Sequence, residues 1–162
     1  SQRRRKDARN YIIERCLYSN VAWAEASEID RDGISSVLTK TMHNAIRGLP
    51  VKPEYLIIDG DRFEPYEDVP HQTVVNGDST YFSVAAASIL AKVAHDEYIL
   101  EICNAHPELE KYELKKNMGY GTKQHREALQ EGGVSDYHRK TFCEKTLGLR
   151  KVIKPDDNGC FL

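Results

Sequence analysis

No run among the 162 residues is long and apolar enough to be read as a helical membrane span. A signal-peptide pattern, with a basic start, an apolar centre and a small-residue cleavage site, is also missing. The four cysteines, Cys16, Cys103, Cys143 and Cys160, are scattered without a Cys-x-x-Cys pair. That argues against both a zinc centre and a disulfide framework, and it fits a reducing, cytoplasmic compartment. Internal repeats and low-complexity tracts are lacking too. What remains is one domain's worth of chain, 40% hydrophobic and 30% charged, enough for a single hydrophobic core.

The net charge of −2 says nothing of partners, but its distribution does. From Lys52 to Glu110 there are 3 basic residues against 12 acidic; from Lys111 to Lys154 there are 11 against 5. A protein that handles a polyanion through metal ions needs this division. Carboxylates repel phosphate unless cations intervene, and a basic arm then supplies affinity. Ordinary domains also differ by a few charges between halves, so the asymmetry supports such a reading without establishing it.

The chain is organised around residues 55–96. Tyr55-Leu56-Ile57-Ile58 reads as a buried strand that stops at Asp59-Gly60, and Thr73-Val74-Val75 as a second strand that stops at Asn76-Gly77-Asp78. From Ser83 the sequence is rich in alanine and leucine and free of glycine and proline, which predicts a helix running to about His106, where Pro107 ends it. Ser88, Lys92 and Asp96 then fall at i, i+4 and i+8, a polar stripe on a mostly apolar cylinder. Asp59, Asp78 and Asp96 are therefore candidates to meet and hold a hard cation such as Mg²⁺ or Mn²⁺ against a phosphate. The plainer reading stays open: Asp59 as a turn acid, Asp78 as a helix cap, Asp96 paired with Lys92.

Elsewhere, residues 1–17 predict a helix whose first turn, Arg3-Arg4-Arg5-Lys6, opposes the helix dipole and reads as a solvated basic face. Val21-Ala22-Trp23-Ala24-Glu25-Ala26 predicts a strand with Trp23 in the core, Ser27 a helix cap, and Ile34 to Arg47 a helix closed by Gly48. Met42 is expected to fill a core and His43 to be a surface or satisfied side chain. Residues 61–70 form an irregular loop in which Arg62 balances the surrounding acids. Lys115-Lys116-Asn117-Met118-Gly119-Tyr120-Gly121-Thr122 places an aromatic between glycines beside lysines, suited to stacking on a nucleotide or to packing under a turn. Thr122 caps a following helix that ends at Gly132-Gly133, and His138-Arg139-Lys140 is a basic cluster.

Taken in order, Asp59-Gly60, Asn76-Gly77-Asp78, the run Ala85 to Val93 with His95-Asp96, Gly119-Tyr120-Gly121-Thr122 with His125, and His138 to Phe142 resemble the ribonuclease HII (type 2 ribonuclease H) family. The resemblance covers nearly all of the chain up to Phe142. It implies an α/β ribonuclease H-like fold, a mixed sheet flanked by helices. It divides the chain into a partial catalytic core over residues 1–106 and a basic helical C-terminal segment over 107–162 packed on the same domain. It also implies endonucleolytic cutting of RNA in RNA/DNA hybrids and at ribonucleotides embedded in duplex DNA, with Mg²⁺ or Mn²⁺ and a place in DNA replication and repair. Asp59 would be a ligand, with Asp78 or Asp96 completing the site, and Ser88 and Lys92 in support. Tyr120, Lys116, Gly119, His138 and Arg139 would face the nucleic acid, Tyr120 against the sugar at the RNA-to-DNA junction. No membrane and no obligate protein partner are implied.

The family's opening strand, with adjacent Asp and Glu followed by Ala-Gly-Arg-Gly, has no counterpart here. In the family it lies in mid-sheet, gives two metal ligands and reads the ribose 2′-hydroxyl. Its absence leads to the expectation that the N-terminal strands are missing and the chain is a fragment of a longer enzyme; the alternative is a catalytically inert nucleic-acid-binding remnant or subunit. Asn76, His95 and Met118 also stand where the family commonly has basic residues.

Overall fold

The computed structural model describes residues 2–144 and 146–148. The basic tail positions Lys145, Arg150, Lys151 and Lys154 lie outside the described residues, as does Cys160.

Strand β1 (Leu56–Asp59) and strand β2 (His71–Val74) pair in parallel, Leu56 opposite His71 and Asp59 opposite Val74. The described sheet is thus two-stranded and parallel, where a mixed sheet was expected. Parallel strands need covered faces. One cover comes from helix α3 (Ile34–Arg47), whose Met42 and Ile46 pack with Phe63 on Leu56, Ile58, Tyr66 and Val69. His43 is satisfied as expected: its Nε2 lies 2.9 Å from the Glu64 carbonyl, and its ring meets Phe63 and Tyr66 edge-on.

After β2 a single 3₁₀ turn, Gly77–Ser79, leads into α4 (Phe82–Ala105), the long helix anticipated from composition. Helix α1 (Gln2–Arg15) packs beside α4. A second 3₁₀ segment, Pro107–Tyr112, then the one-turn α5 (Leu114–Asn117), α6 (Lys123–Gly132) and the one-turn α7 (Lys140–Cys143) fold back on the end of α4. Leu109, Tyr112, Leu114, Leu129 and Cys143 form a cluster there with Ile102 and Cys103. Burying each of the larger side chains stabilises by about 1.5–3 kcal/mol, so this cluster fastens the C-terminal segment to α4.

Two local expectations are corrected. Residues 21–25 form no strand, and α2 (Ala26–Asp32) begins at Ala26, not after a Ser27 cap. The Glu28 carboxylate accepts the Glu25 N–H at 3.0 Å, half of a capping box that starts the helix two residues early. The apolar stretch also has no strand alongside it among the described residues, so nothing fixes it in a ladder. Trp23 is accordingly 64% exposed, not core, and stacks on Tyr98 with ring centroids 6.1 Å apart.

Candidate metal and nucleic-acid site

Asp59 is the last residue of β1, and its carboxylate turns toward the loop that follows β2. Its Oδ1 accepts the backbone N–H of Gly77 at 2.8 Å, which holds the residue next to Asp78. Gly77 is packed closely here: a Cβ on it would be in ordinary van der Waals contact with Val84, at 3.4 Å, and with the Asp59 carboxylate, at 3.5 Å. Asn76, in the left-handed region at φ 56°, makes the turn that delivers this N–H. Asp78 is half-buried, and its Oδ1 receives only the Ser79 hydroxyl, at 3.5 Å. Asp59 and Asp78, from separate segments, thus lie at the same C-terminal end of the sheet, and neither has a basic partner among the described residues.

Asp96 is elsewhere. It is 5% exposed and its Oδ2 takes the Arg5 Nη2 at 2.7 Å, joining α4 to α1. The helical arithmetic explains the separation: at about 100° per residue, Asp96 is rotated by about 80° from Ser88, while His95 returns to within about 20° of it. The polar stripe therefore runs Ser88, Lys92, His95 and leaves Asp96 to one side. Lys92 donates to the Ser88 hydroxyl at 2.8 Å, and no contact joins Lys92 to Asp96. The basic first turn of α1 is thus not wholly a solvated face, since Arg5 is committed to Asp96.

The stripe leads to Tyr120. Its ring is 64% exposed, with its centroid 6.3 Å from that of His95. Gly119, at φ 76°, turns the chain before it, and the Gly119 N–H donates to the Asn117 side chain at 2.8 Å. Met118 is buried beneath this turn. Thr122 caps α6, accepting the His125 N–H at 3.3 Å, as its sequence position predicts. A cleft of about 690 Å³, lined by Trp23, Tyr98, Arg126, Arg139 and Phe142 among others, opens beside Gly119 and Gly121 and includes neither Asp59 nor Asp78. From the start of α4 to His95 is about 20 Å along the axis, so the paired acids and the Tyr120 loop lie at two stations along one helix.

Of the other residues expected at a nucleic acid, Arg139 is exposed and lies over the Phe142 ring at 4.1 Å. Lys116 is exposed but engaged with Glu113 at 2.6 Å. His138 departs from expectation. It is 8% exposed, and burial together with the neighbouring His125 pushes its pKa down to about 4, so at neutral pH it is not part of a basic cluster. Its near neighbour Asp30, not singled out from sequence, accepts the backbone N–H groups of Lys140 and Thr141 and the Thr141 hydroxyl, which anchors α7 to α2. Only the separation of more than 100 positions hid that contact.

Hard-oxygen donors unopposed by a cation suit Mg²⁺ or Mn²⁺, which are commonly held by one or two carboxylates with water and phosphate completing the shell. The fit is partial: among the described residues no group of three or more His, Cys, Asp or Glu side chains converges closely enough to hold a metal. No described helix is long and apolar enough to cross a membrane.

A model of the ribonuclease HII family matches residues 1–145. The chain is 48% identical over 135 residues to ribonuclease HII of Parabacteroides distasonis, covering 81% of this chain and 65% of that protein. It is 42% identical over 134 residues to ribonuclease HII of Christiangramia forsetii, covering 83% and 66%. It therefore spans about 65% of the length of these two relatives. The fold is similar to that of a crystal structure of ribonuclease H2 from Pyrococcus horikoshii OT3, with a TM-score of 0.73 at 19% identity over 91% of this chain and 77% of the other. That likeness places the helices and the small parallel sheet in an α/β ribonuclease H-like arrangement.

Proposed function

Because the chain belongs to the ribonuclease HII family, we propose that the protein is a metal-dependent endonuclease that cuts RNA in RNA/DNA hybrids and at ribonucleotides embedded in duplex DNA. The observation that carries this reading is the Asp59 carboxylate held by the Gly77 N–H, next in sequence to Asp78, with no cationic partner for either acid among the described residues. Asp59 and Asp78 would hold Mg²⁺ or Mn²⁺, and Asp96, spent on Arg5, is structural. When bound, the ion supplies an activated water and neutralises charge on the phosphate. The Gly77 N–H keeps one Asp59 oxygen oriented, and Lys92, steadied by Ser88, offers a positive charge to the strand between the two stations. Tyr120 stacks on the sugar of the substrate, Gly119 gives its ring access, and Lys116 and Arg139 meet phosphates. A cytoplasmic site of action, in replication and repair, is consistent with the scattered cysteines and with relatives of this kind.

The test is cleavage of a DNA duplex carrying one ribonucleotide, by the protein in the full length its gene encodes, with Mg²⁺ or Mn²⁺. The expected result is a cut at the ribonucleotide, none in an all-DNA duplex, and loss of cutting with a chelator. Tight binding of both duplexes with no cutting under any metal would instead favour an inert nucleic-acid-binding protein, a reading to which the lack of a three-donor cluster among the described residues lends some weight.

A further inference from the structure

Two buried histidines take part in none of the chemistry above. His125 lies in the first turn of α6 and His138 in the loop before α7, and their Nε2 atoms are 3.0 Å apart. Two ring nitrogens in contact share one hydrogen, so one ring donates and the other accepts. The backbone decides which. The Ser135 N–H points at Nδ1 of His138 at 3.2 Å and can only donate, so that nitrogen bears the lone pair; the Ser135 hydroxyl, 2.7 Å from the same atom, is then also a donor. Neutral His138 thus carries its hydrogen on Nε2 and gives it to His125. His125 must in turn carry its hydrogen on Nδ1, which lies 3.1 Å from the Tyr120 carbonyl, a group that can only accept.

We infer that His138, His125 and the Tyr120 carbonyl form a directed relay that positions the Tyr120 ring for the ribose-bearing strand, with His125 fixed as the Nδ1–H tautomer. This deepens, and rests on, the proposed role of Tyr120 at the nucleic acid. The ring also meets His95, but the loop's other hydrogen bonds are local: the Tyr120 carbonyl also takes the Thr122 N–H at 2.7 Å, and Asn117 bridges the Tyr112 carbonyl and the Gly119 N–H. Among the hydrogen bonds of the described residues, the relay is what joins the loop to residues 135–138. Tyr112 packs edge-on against both rings, at 4.6 Å from His138 and 6.3 Å from His125, and shields them. Protonating His138 would set its Nδ1–H against the Ser135 N–H, and burial disfavours that at neutral pH. His125 and His138 are positioning residues, because neither reaches the substrate.

The tautomers are read directly from two-bond nitrogen–proton correlations on the ¹⁵N-histidine-labelled full-length protein at neutral pH. Nδ1–H for His125 and Nε2–H for His138 are expected; the Nε2–H form of His125, or an imidazolium at either position, overturns the relay. Binding supplies the second readout. An asparagine amide lies two bonds from Cβ, like Nδ1, and a glutamine amide three, like Nε2. His125→Asn should therefore keep the bond to Tyr120 and bind a ribonucleotide-bearing duplex within about threefold of wild type, whereas His125→Gln keeps only the His138 side and should bind about tenfold more weakly. In a Tyr120→Ala background the two variants should bind alike. Equal binding by the two variants with Tyr120 present overturns the inference. If Tyr120→Ala itself leaves binding unchanged, the role given to Tyr120 fails and the positioning claim falls with it, even with the tautomers as stated. Should either His125 variant fail to fold, the tautomer measurement on the unaltered protein still decides.

Discussion

Asp96 and Arg5 illustrate how a single residue's role is set by its partner. The pair is single-point, since Arg5 Nε is buried without a hydrogen-bond partner and only Nη2 reaches the carboxylate. Removing one partner leaves a charge in a mostly buried place, so Asp96→Asn should lower stability by about 2–3 kcal/mol, less than a fully buried pair would lose because Arg5 is partly exposed. Urea unfolding checks this. His138 makes a pH prediction. Its folded-state pKa, about 4, lies below the usual value of 6.5, so the unfolded chain binds the proton more readily. Stability should be constant above about pH 7 and fall as pH drops from 6.5 toward 4, with the effect absent in His138→Gln; thermal melts across that range test it. The positive charge of Lys111 adds to the same direction. At this scale the sequence made Asp59, Asp78 and Tyr120 legible through the glycines beside them. It could not show that Asp96 faces Arg5, 91 positions away, nor that His138 is buried, because a basic triplet in a loop looks the same solvated or packed.

Among the elements, α3, α4 and α6 were legible because their periodicity, caps and stops agree. The Thr122 cap is a measurable part of that agreement. Thr122→Ala should cost about 1 kcal/mol in chemical denaturation, and Thr122→Ser should recover most of it. The segment 21–25 was not legible as irregular: its composition suits a strand, but a strand exists only with a neighbour to pair with, and local sequence does not report neighbours. The polar stripe on α4 was legible as a stripe but not in its last member. Spacings of i+4 repeated twice drift around the cylinder, so His95, at i+7, faces the Tyr120 loop and Asp96 does not.

For the molecule as a whole, acidic and basic regions are separated along the chain, with the paired acids in one and the Tyr120 loop in the other. Duplex binding should weaken with salt, log K falling linearly with log salt, and Arg139→Ala should reduce that slope by about 1 if Arg139 meets one phosphate. The decisive measurement compares Asp78→Asn with Asp96→Asn in cleavage of a duplex carrying one ribonucleotide, using the full-length protein and Mn²⁺. Asp78→Asn is expected to fold and bind like wild type yet cut at least about a hundredfold more slowly, while Asp96→Asn is less stable but cuts at a similar rate when kept folded. Wild-type cutting by Asp78→Asn, or loss of cutting by folded Asp96→Asn, would contradict the assignment of Asp59 and Asp78 as the metal-holding pair.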